Sequence, residues 1–229
     1  MTEFKKHIEA NKKAWNKRTP IHIKSNFYNN EEFINGKDSL KSIELNAIGD
    51  LKEKSLLHLQ CHFGQDSISF ARKGAKVTAI DFSDVAIREA KKLAKEINID
   101  VNFIESNVLD LKLNKQFDIV FSSYGVIGWL PDLNAWAATI STHLKKGGLF
   151  LLTEFHPFLE LIKDNGYDYF YDPNPDIQIQ HGTYTDGGPE LVTKTFWWNH
   201  SLTNIFSALE SNGLKLTYFE EFDYSPFLL

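Results

Sequence analysis

The chain reads as an α/β protein, doubly wound around a mostly parallel sheet. Three observations predict this. Short apolar, β-branched runs recur at Lys54 to Gln60, Lys76 to Phe82, Phe117 to Tyr124 and Gly148 to Glu154. Helical patterns lie between them. The runs are continuous rather than alternating, which is how strands covered by helices on both faces read.

The elements follow in order. Residues 2 to 18 form an amphipathic pattern with Phe4, Ile8 and Trp15 near one face. Residues 19 to 50 are mixed, with a short helix expected over Leu40 to Leu45. The first strand, at 54 to 60, leads into a helix over 65 to 73 that stops at Gly74. After the second strand, Ser83 suits an N-cap and Asp84 the first helical turn. Ile87, Ala90 and Ala94 give that helix its apolar face. Asp100 to Ser106 reads as a third strand and Phe117 to Tyr124 as a fourth. Asp132 caps a helix carrying Leu133, Trp136, Ile140 and Leu144, and Gly147-Gly148 is the expected helix end before the fifth strand.

Residues 158 to 200 break the rhythm. Tyr167, Tyr169, Phe170, Tyr171 and Tyr184 stand there beside Asp164, Asp168, Asp172 and Asp176, with Pro173 and Pro175 between. The segment reads as an insertion that either covers the site or packs against the sheet. Trp197-Trp198 invites the same two readings, whereas Trp129 and Trp136 read as structural. The acidic residues favour a neutral or cationic small substrate over an anionic polymer. Ser201 to Leu214 returns to helix and Lys215 to Phe222 is expected as a last strand. The organisation is a helical cap over 1–50 and one α/β domain over 51–229.

At 229 residues, with 42% hydrophobic and 24% charged, the chain can bury a sizeable core. A net charge of −5 argues against a general nucleic-acid or anionic-membrane binder. The single cysteine, Cys61, excludes an intrachain disulfide framework and fits a reducing compartment. No apolar run approaches the ~18 residues of a membrane span. These features predict a compact cytoplasmic protein, and a monomer or homodimer acting on a small-molecule substrate is expected.

The richest stretch is Leu56 to Ala86. A strand ends in a turn holding Gly64, a helix follows, and the next strand ends in Asp81. Gly64 and Asp81 are about 17 residues apart, near the roughly 20 of nucleotide fingerprints. Ligands of doubly wound folds sit at the strands' carboxyl ends where strand order reverses. A glycine there admits close backbone approach, and an acid can accept from two ribose hydroxyls. Asp81 could instead simply hold the start of the following helix. His58, Cys61 and His62 are ligand types that suit zinc, but no fourth ligand is near in sequence, so no metal is expected.

The segments LHLQCHFGQD, VTAIDFS, SYGVIGWLPDL and EFHP carry a resemblance. From about residue 54 to 157 the chain resembles a class I S-adenosylmethionine-dependent methyltransferase. Within that superfamily it is similar to a bacterial group of small predicted methyltransferases with a type 11/12-like domain. The likeness extends to Trp15-Asn16-Lys17-Arg18, Ser25 to Tyr28, Trp198 to Ser201 and Asp223 to Pro226.

The resemblance implies a Rossmann-like sheet, S-adenosylmethionine as cofactor and S-adenosylhomocysteine as product. The superfamily's turn carries an acid and three alternating glycines; those positions here are His58, Gln60, His62 and Gly64. Gln60, Cys61, His62 and Gly64 would then meet the methionine end. Asp81, with Phe82 beside it, would take the ribose, and Asn107 and Val108 the adenine. Ser123, Tyr124 and Gly125 would lie near the reacting methyl. Trp15 and Tyr28 would cover the cofactor, or pack as ordinary core. His156 and His200 are the candidate bases, if a base is used, or else fix their loops; Tyr124 would line the acceptor site.

Two other functions remain open at this point: a non-catalytic domain that binds S-adenosylmethionine or its product, and an NAD-dependent oxidoreductase. The absent G-x-G-x-x-G speaks against the latter. Superfamily members usually end in a strand pair whose last member is antiparallel. Only Asp223 to Leu229 follow the expected strand here, so the final strand would be missing and the edge open to pairing. Phe227, Leu228 and Leu229 would suit truncation or burial in a partner.

Overall fold

In a computed structural model of the chain, residues 3–159 and 169–227 are described. The central sheet holds β1 (Ser55–Leu59), β2 (Lys76–Asp81), β3 (Asn102–Glu105), β4 (Phe117–Ser123) and β5 (Leu144–Thr153). All neighbours pair in parallel, in the order β3-β2-β1-β4-β5. The order reverses at β1, so the turn leaving β1 and the loop leaving β4 diverge around a crevice.

Among the described residues the helices around it are α1 (Glu3–His22), α2 (Asn30–Ile34), α3 (Ser42–Ile48), α4 (Gln65–Arg72), α5 (Asp84–Glu96), α6 (Leu133–His143) and α7 (Leu202–Ser211). Strand period sorts the core into two layers. Leu56, Val77, Ala79, Ile119 and Phe121 face α4 and α5, where Ile68, Phe70, Ile87 and Ala90 complete one cluster. Leu57, Leu59, Ile80 and Val120 face the other way onto Trp136, Ile140 and Ile205 of α6 and α7. Phe33, Leu40 and Ile48 of the N-terminal segment join the first cluster. Each such large side chain contributes about 1.5–3 kcal/mol by leaving water.

The predicted caps form: Ser83 Oγ accepts from Ala86 N–H at 3.0 Å and Asp132 Oδ1 from Ala135 N–H at 3.0 Å. The insertion supplies an antiparallel hairpin, β6 (Asp176–His181) and β7 (Val192–Trp197). Of the aromatic and acidic residues read there, Asp164, Tyr167 and Asp168 lie outside the described residues, as do Leu228 and Leu229.

Three expectations are corrected. Helix α1 runs on to His22, through Pro20, and its buried residues are Asn11, Ala14, Arg18, Thr19 and His22 rather than Phe4, Ile8 and Trp15. That face is polar because it is bonded to the hairpin: Asn11 Nδ2 donates to Phe196 O and Phe196 N–H donates to Asn11 Oδ1, both at 2.8 Å. Gly147-Gly148 does not end α6, which stops at His143. The pair lies inside β5, where the register against β4 shifts, and a Cβ at Gly148 would stand 2.9 Å from Asp118 O. Finally, residues 215–222 form no strand. The sheet stops at β5, so Leu216, Tyr218 and Phe222 have no strand to pair with and lie exposed. Phe227 packs its ring 4.9 Å from Tyr124 and 5.6 Å from Phe27.

Among the described residues, no helix is long and apolar enough to cross a membrane.

The hairpin is seated by a close approach at Gly128, whose added Cβ would lie 2.1 Å from Trp197 Cζ2. Gly128 O also accepts from Trp198 N–H at 2.8 Å. Gly128→Ala is expected to cost about 1–3 kcal/mol by overpacking and to speed proteolysis between β6 and β7. An unchanged denaturation midpoint would show that Trp197 does not sit there.

Candidate active site

The turn after β1 has an uncommon backbone. Gln60 (φ 55°), His62 (φ 51°) and Gly64 (φ 82°) all adopt the left-handed region, at alternate positions. That region costs a side-chain-bearing residue ~1 kcal/mol or more. At Gly64 a side chain is also excluded by space, since a Cβ would meet Phe103 Cε1 at 2.6 Å.

Asp81 fastens this turn to the end of β2. His62 N–H donates to Asp81 Oδ2 and Ser83 N–H to Oδ1, each at 2.8 Å. Burial pushes the Asp81 carboxyl up to about 6, against the pull of those N–H groups. Asp81 thus holds the entrance to α5, the structural role foreseen for it, while each oxygen keeps a lone pair for a ligand.

A cavity of about 880 Å³ opens above the turn. All eleven residues expected to hold a cofactor line it, and so does Tyr124. Gln60 Nε2 donates to Val126 O at 3.0 Å, tying the β1 turn to the β4 loop. Gln65 Nε2 donates to Tyr28 O at 2.9 Å, fixing Tyr28 over α4. Asn107 Oδ1 accepts from Leu109 N–H at 3.1 Å, so its carbonyl is used locally while its amide end lies by Asp110. Burial and the nearby Glu44 hold the Tyr124 hydroxyl well above its ordinary range, so it stays protonated.

The two candidate histidine bases stand elsewhere. His200 is buried, its Nε2–H donates to Leu130 O at 2.8 Å, and its ring stacks on Tyr171 at 5.2 Å. His156 accepts from Phe158 N–H at 3.0 Å through Nδ1 and lies 2.7 Å from Glu221 through Nε2. Neither lines the cavity. Both serve as loop fixtures, because strand-end position alone does not aim a side chain.

Three residues that line or shape the site escaped the sequence reading. Glu154, at the end of β5, accepts N–H bonds from Gly125, Val126 (2.8 Å), Ile127 (3.2 Å) and Phe155 (2.8 Å). One carboxylate thereby shapes the whole β4 loop, and burial raises its pKa. His22 Nδ1 meets His62 Nε2 at 2.9 Å and its Nε2 meets Thr183 Oγ1 at 2.5 Å. Burial pushes His22 down to about 3 and His62 well below its usual value, so both rings are neutral near pH 7. Arg18, on the same helix, lines the cavity. Trp129 belongs to the wall as well, edge-on to Trp15 at 5.4 Å. The insertion's aromatics fall into two groups. Tyr184 and Trp197 face the cavity, whereas Trp198 is buried and Tyr171 bonds Pro131 O at 2.8 Å.

His58, Cys61 and His62 do not converge. His58 Nδ1 meets Ser67 Oγ at 2.8 Å, and Cys61 Sγ lies 3.5 Å from His62 O.

Glu154→Gln turns one acceptor into a donor facing N–H groups. It is expected to cost about 2–4 kcal/mol, read as a lowered urea midpoint. A shift under about 0.5 kcal/mol would show that the β4 loop stands without it.

Residues 56–148 match the family described as Methyltransferase domain. A ubiquinone biosynthesis O-methyltransferase of Rickettsia canadensis is 28% identical over 104 residues, 45% of this chain and 44% of its own length. The chain thus spans less than half the length of that curated relative. A crystallised S-adenosylmethionine-dependent methyltransferase from Clostridium acetobutylicum superposes with a TM-score of 0.60 at 17% identity, covering 86% of this chain and 87% of that one. The DhpI–SAH complex gives 0.62 at 16% identity, covering 90% and 87%. By the order of its sheet and the turn after β1 the chain has the Rossmann-like fold of the solved methyltransferases on which it superposes, and over residues 56–148 it matches the methyltransferase domain family.

Proposed function

We propose that the protein transfers a methyl group from S-adenosylmethionine to a small-molecule acceptor. One observation carries this reading. The three positions where the superfamily has alternating glycines keep the left-handed backbone although two are Gln60 and His62, and Asp81 braces that turn from the adjoining strand end. The strain is retained where a ligand's approach would require it.

The residues present fit the cofactor. The Gln60–Gly64 turn would hold the methionine end, Asp81 the ribose hydroxyls, and Asn107 with Val108 the adenine. When bound, that cofactor supplies a methyl on a sulfonium, an electrophile needing no protein nucleophile. The chain's task is then alignment and exclusion of water. Tyr124 and Gly125, shaped by Glu154, would wall the methyl's path. Trp15, Trp129 and Tyr184 would close the cavity from above. His156 and His200 stand off the cavity and Tyr124 is protonated, so none of these three supports a base at the acceptor, while Asp66 and His181 do line the cavity. The O-methyltransferase name of the Rickettsia relative makes oxygen acceptors the first class to try. The lack of a glycine-rich pyrophosphate loop leaves an NAD-dependent oxidoreductase unsupported, and a cavity of this size gives no ground for preferring a binding-only role.

Calorimetric titration with S-adenosylmethionine, S-adenosylhomocysteine and NAD tests the reading. The first two should bind in the micromolar range and NAD should not; NAD alone would overturn it. Asp81→Ala should weaken S-adenosylhomocysteine by about 1.5–3 kcal/mol. The pH dependence has a defined sign. Asp81 accepts best when ionised, so affinity should be full above pH ~7 and fall as pH drops through about 6. Asp81→Asn should flatten that profile, and a wild-type profile flat from pH 8 to 5 would remove Asp81 from the site.

A further inference from the structure

We infer that His22, His62, Tyr28 and Tyr184 form a binding site for a divalent transition-metal ion, copper(II) above all. The inference does not depend on the proposed methyl transfer.

Four donor atoms converge from four separate parts of the chain. His22 closes α1, Tyr28 stands before α2, His62 sits in the turn after β1, and Tyr184 lies between β6 and β7. His22 Nδ1 meets His62 Nε2 at 2.9 Å and Tyr184 Oη at 3.5 Å, and Tyr184 Oη meets Tyr28 Oη at 2.5 Å. Metal–nitrogen and metal–oxygen bonds of ~2.0–2.2 Å set neighbouring donors roughly 2.8–3.5 Å apart. Both spacings from His22 fall in that range, and the two hydroxyls need only part slightly.

The rings are also aimed. The His22 and His62 planes stand 82° apart with their nitrogens facing, and His22 Nε2 meets Thr183 Oγ1 at 2.5 Å. A ligating histidine gives its other ring N–H to an oxygen, which leaves the inner nitrogen's lone pair free. Thr183 supplies that oxygen. Trp15 stands edge-on to both imidazoles, 5.8 Å from His22 and 5.2 Å from His62. Tyr28, His62 and Tyr184 line the cavity, so an ion from solvent reaches the site through it.

Two imidazoles and two phenol oxygens make a nitrogen–oxygen ligand set. Imidazole suits copper, zinc, nickel and iron, and tetragonal nitrogen–oxygen surroundings select copper(II) or nickel(II). Copper(II) binds most tightly of the divalent series. Each phenol that ligates gives up its proton, so two phenolates neutralise a divalent ion. The filled site then adds no net charge to a cavity already lined by Arg18. The set is not the one the sequence offered. His58 and Cys61 turn to Ser67 and the backbone, whereas His62 finds its partners on distant segments. One ion would join α1, the β1 turn and the hairpin loop.

The test uses the whole protein, freed of metal with a chelator and titrated with copper(II) chloride alone. Calorimetry should give one equivalent bound, and the visible spectrum should gain a phenolate-to-copper charge-transfer band. Tyr184→Phe should weaken binding at least about tenfold and dim the band. Tyr28→Phe combined with Tyr184→Phe should remove the band. His22→Gln should abolish binding, whereas His181→Ala, at an exposed position on the same cavity, should leave both readouts unchanged. No single-equivalent binding by wild type, or binding without the band, overturns the inference. So does an affinity and spectrum that Tyr184→Phe leaves as they were, or binding that is lost in His181→Ala. Tyr184 is 55% exposed, so its variant decides the matter even if His22→Gln does not fold.

Discussion

Everything at the site hangs on one carboxylate. Asp81 joins the turn after β1 to the start of α5 by accepting from His62 N–H and Ser83 N–H. Without it, a turn carrying Gln60 and His62 in left-handed conformations would relax, since nothing in those residues favours that backbone. The same residue is buried and its proton affinity is raised. Its ionised form is therefore unfavourable in isolation and is offset by the two N–H bonds. Any further hydroxyl donor would be welcomed by a carboxylate so placed. A structural brace and a ligand site are here one group in two roles.

Glu154 repeats the device on the other side of the crevice. Three N–H groups of the β4 loop converge on its carboxylate with that of Phe155, and without it the loop would leave them unpaired inside the protein. The two strand-end acids, on β2 and β5, shape the two loops that diverge at the topological switch. Gln60 then links those loops through Val126 O. The crevice is preorganised by acceptors placed at strand ends, and the side chains above it inherit their positions from that backbone.

The sheet and its capping residues were legible in the sequence because they follow period and local chemistry. Ser83 and Asp132 cap as their types suggest, and the four strongest strands lie within a residue or two of expectation, save for the early start of β5. Gly64 and Asp81 were legible through spacing. What escaped is what depends on distant partners. The buried face of α1 is polar, and hydrophobic periodicity cannot flag Asn11 or Arg18 when their partners sit on β6 and β7, more than 160 residues away in the chain. Glu154 looked like the end of a strand, since its role lies in N–H groups of another loop. His156 and His200 were over-read: both sit near strand or helix ends, but their rings turn to local partners. Lys215 to Phe222 alternates like a strand and still is none, since alternation confers strand structure only where an edge receives it.

The cover over the site is held differently from the core. Two-layer burial fixes β1 and β4, whereas the hairpin is joined to α1 by polar contacts through Asn11, Arg18 and His22 together with the rings of Phe4 and His7 against Trp198 and Phe196. Its outward side chains Ile177, Ile179 and Val192 remain exposed, so detaching it uncovers less apolar surface than opening the sheet would. Elements with few buried apolar contacts populate open states most readily. Arg18 donates from α1 to Gln180 and Thr193 of the hairpin, so the two parts of the cover are tied to one another and are expected to open as one unit.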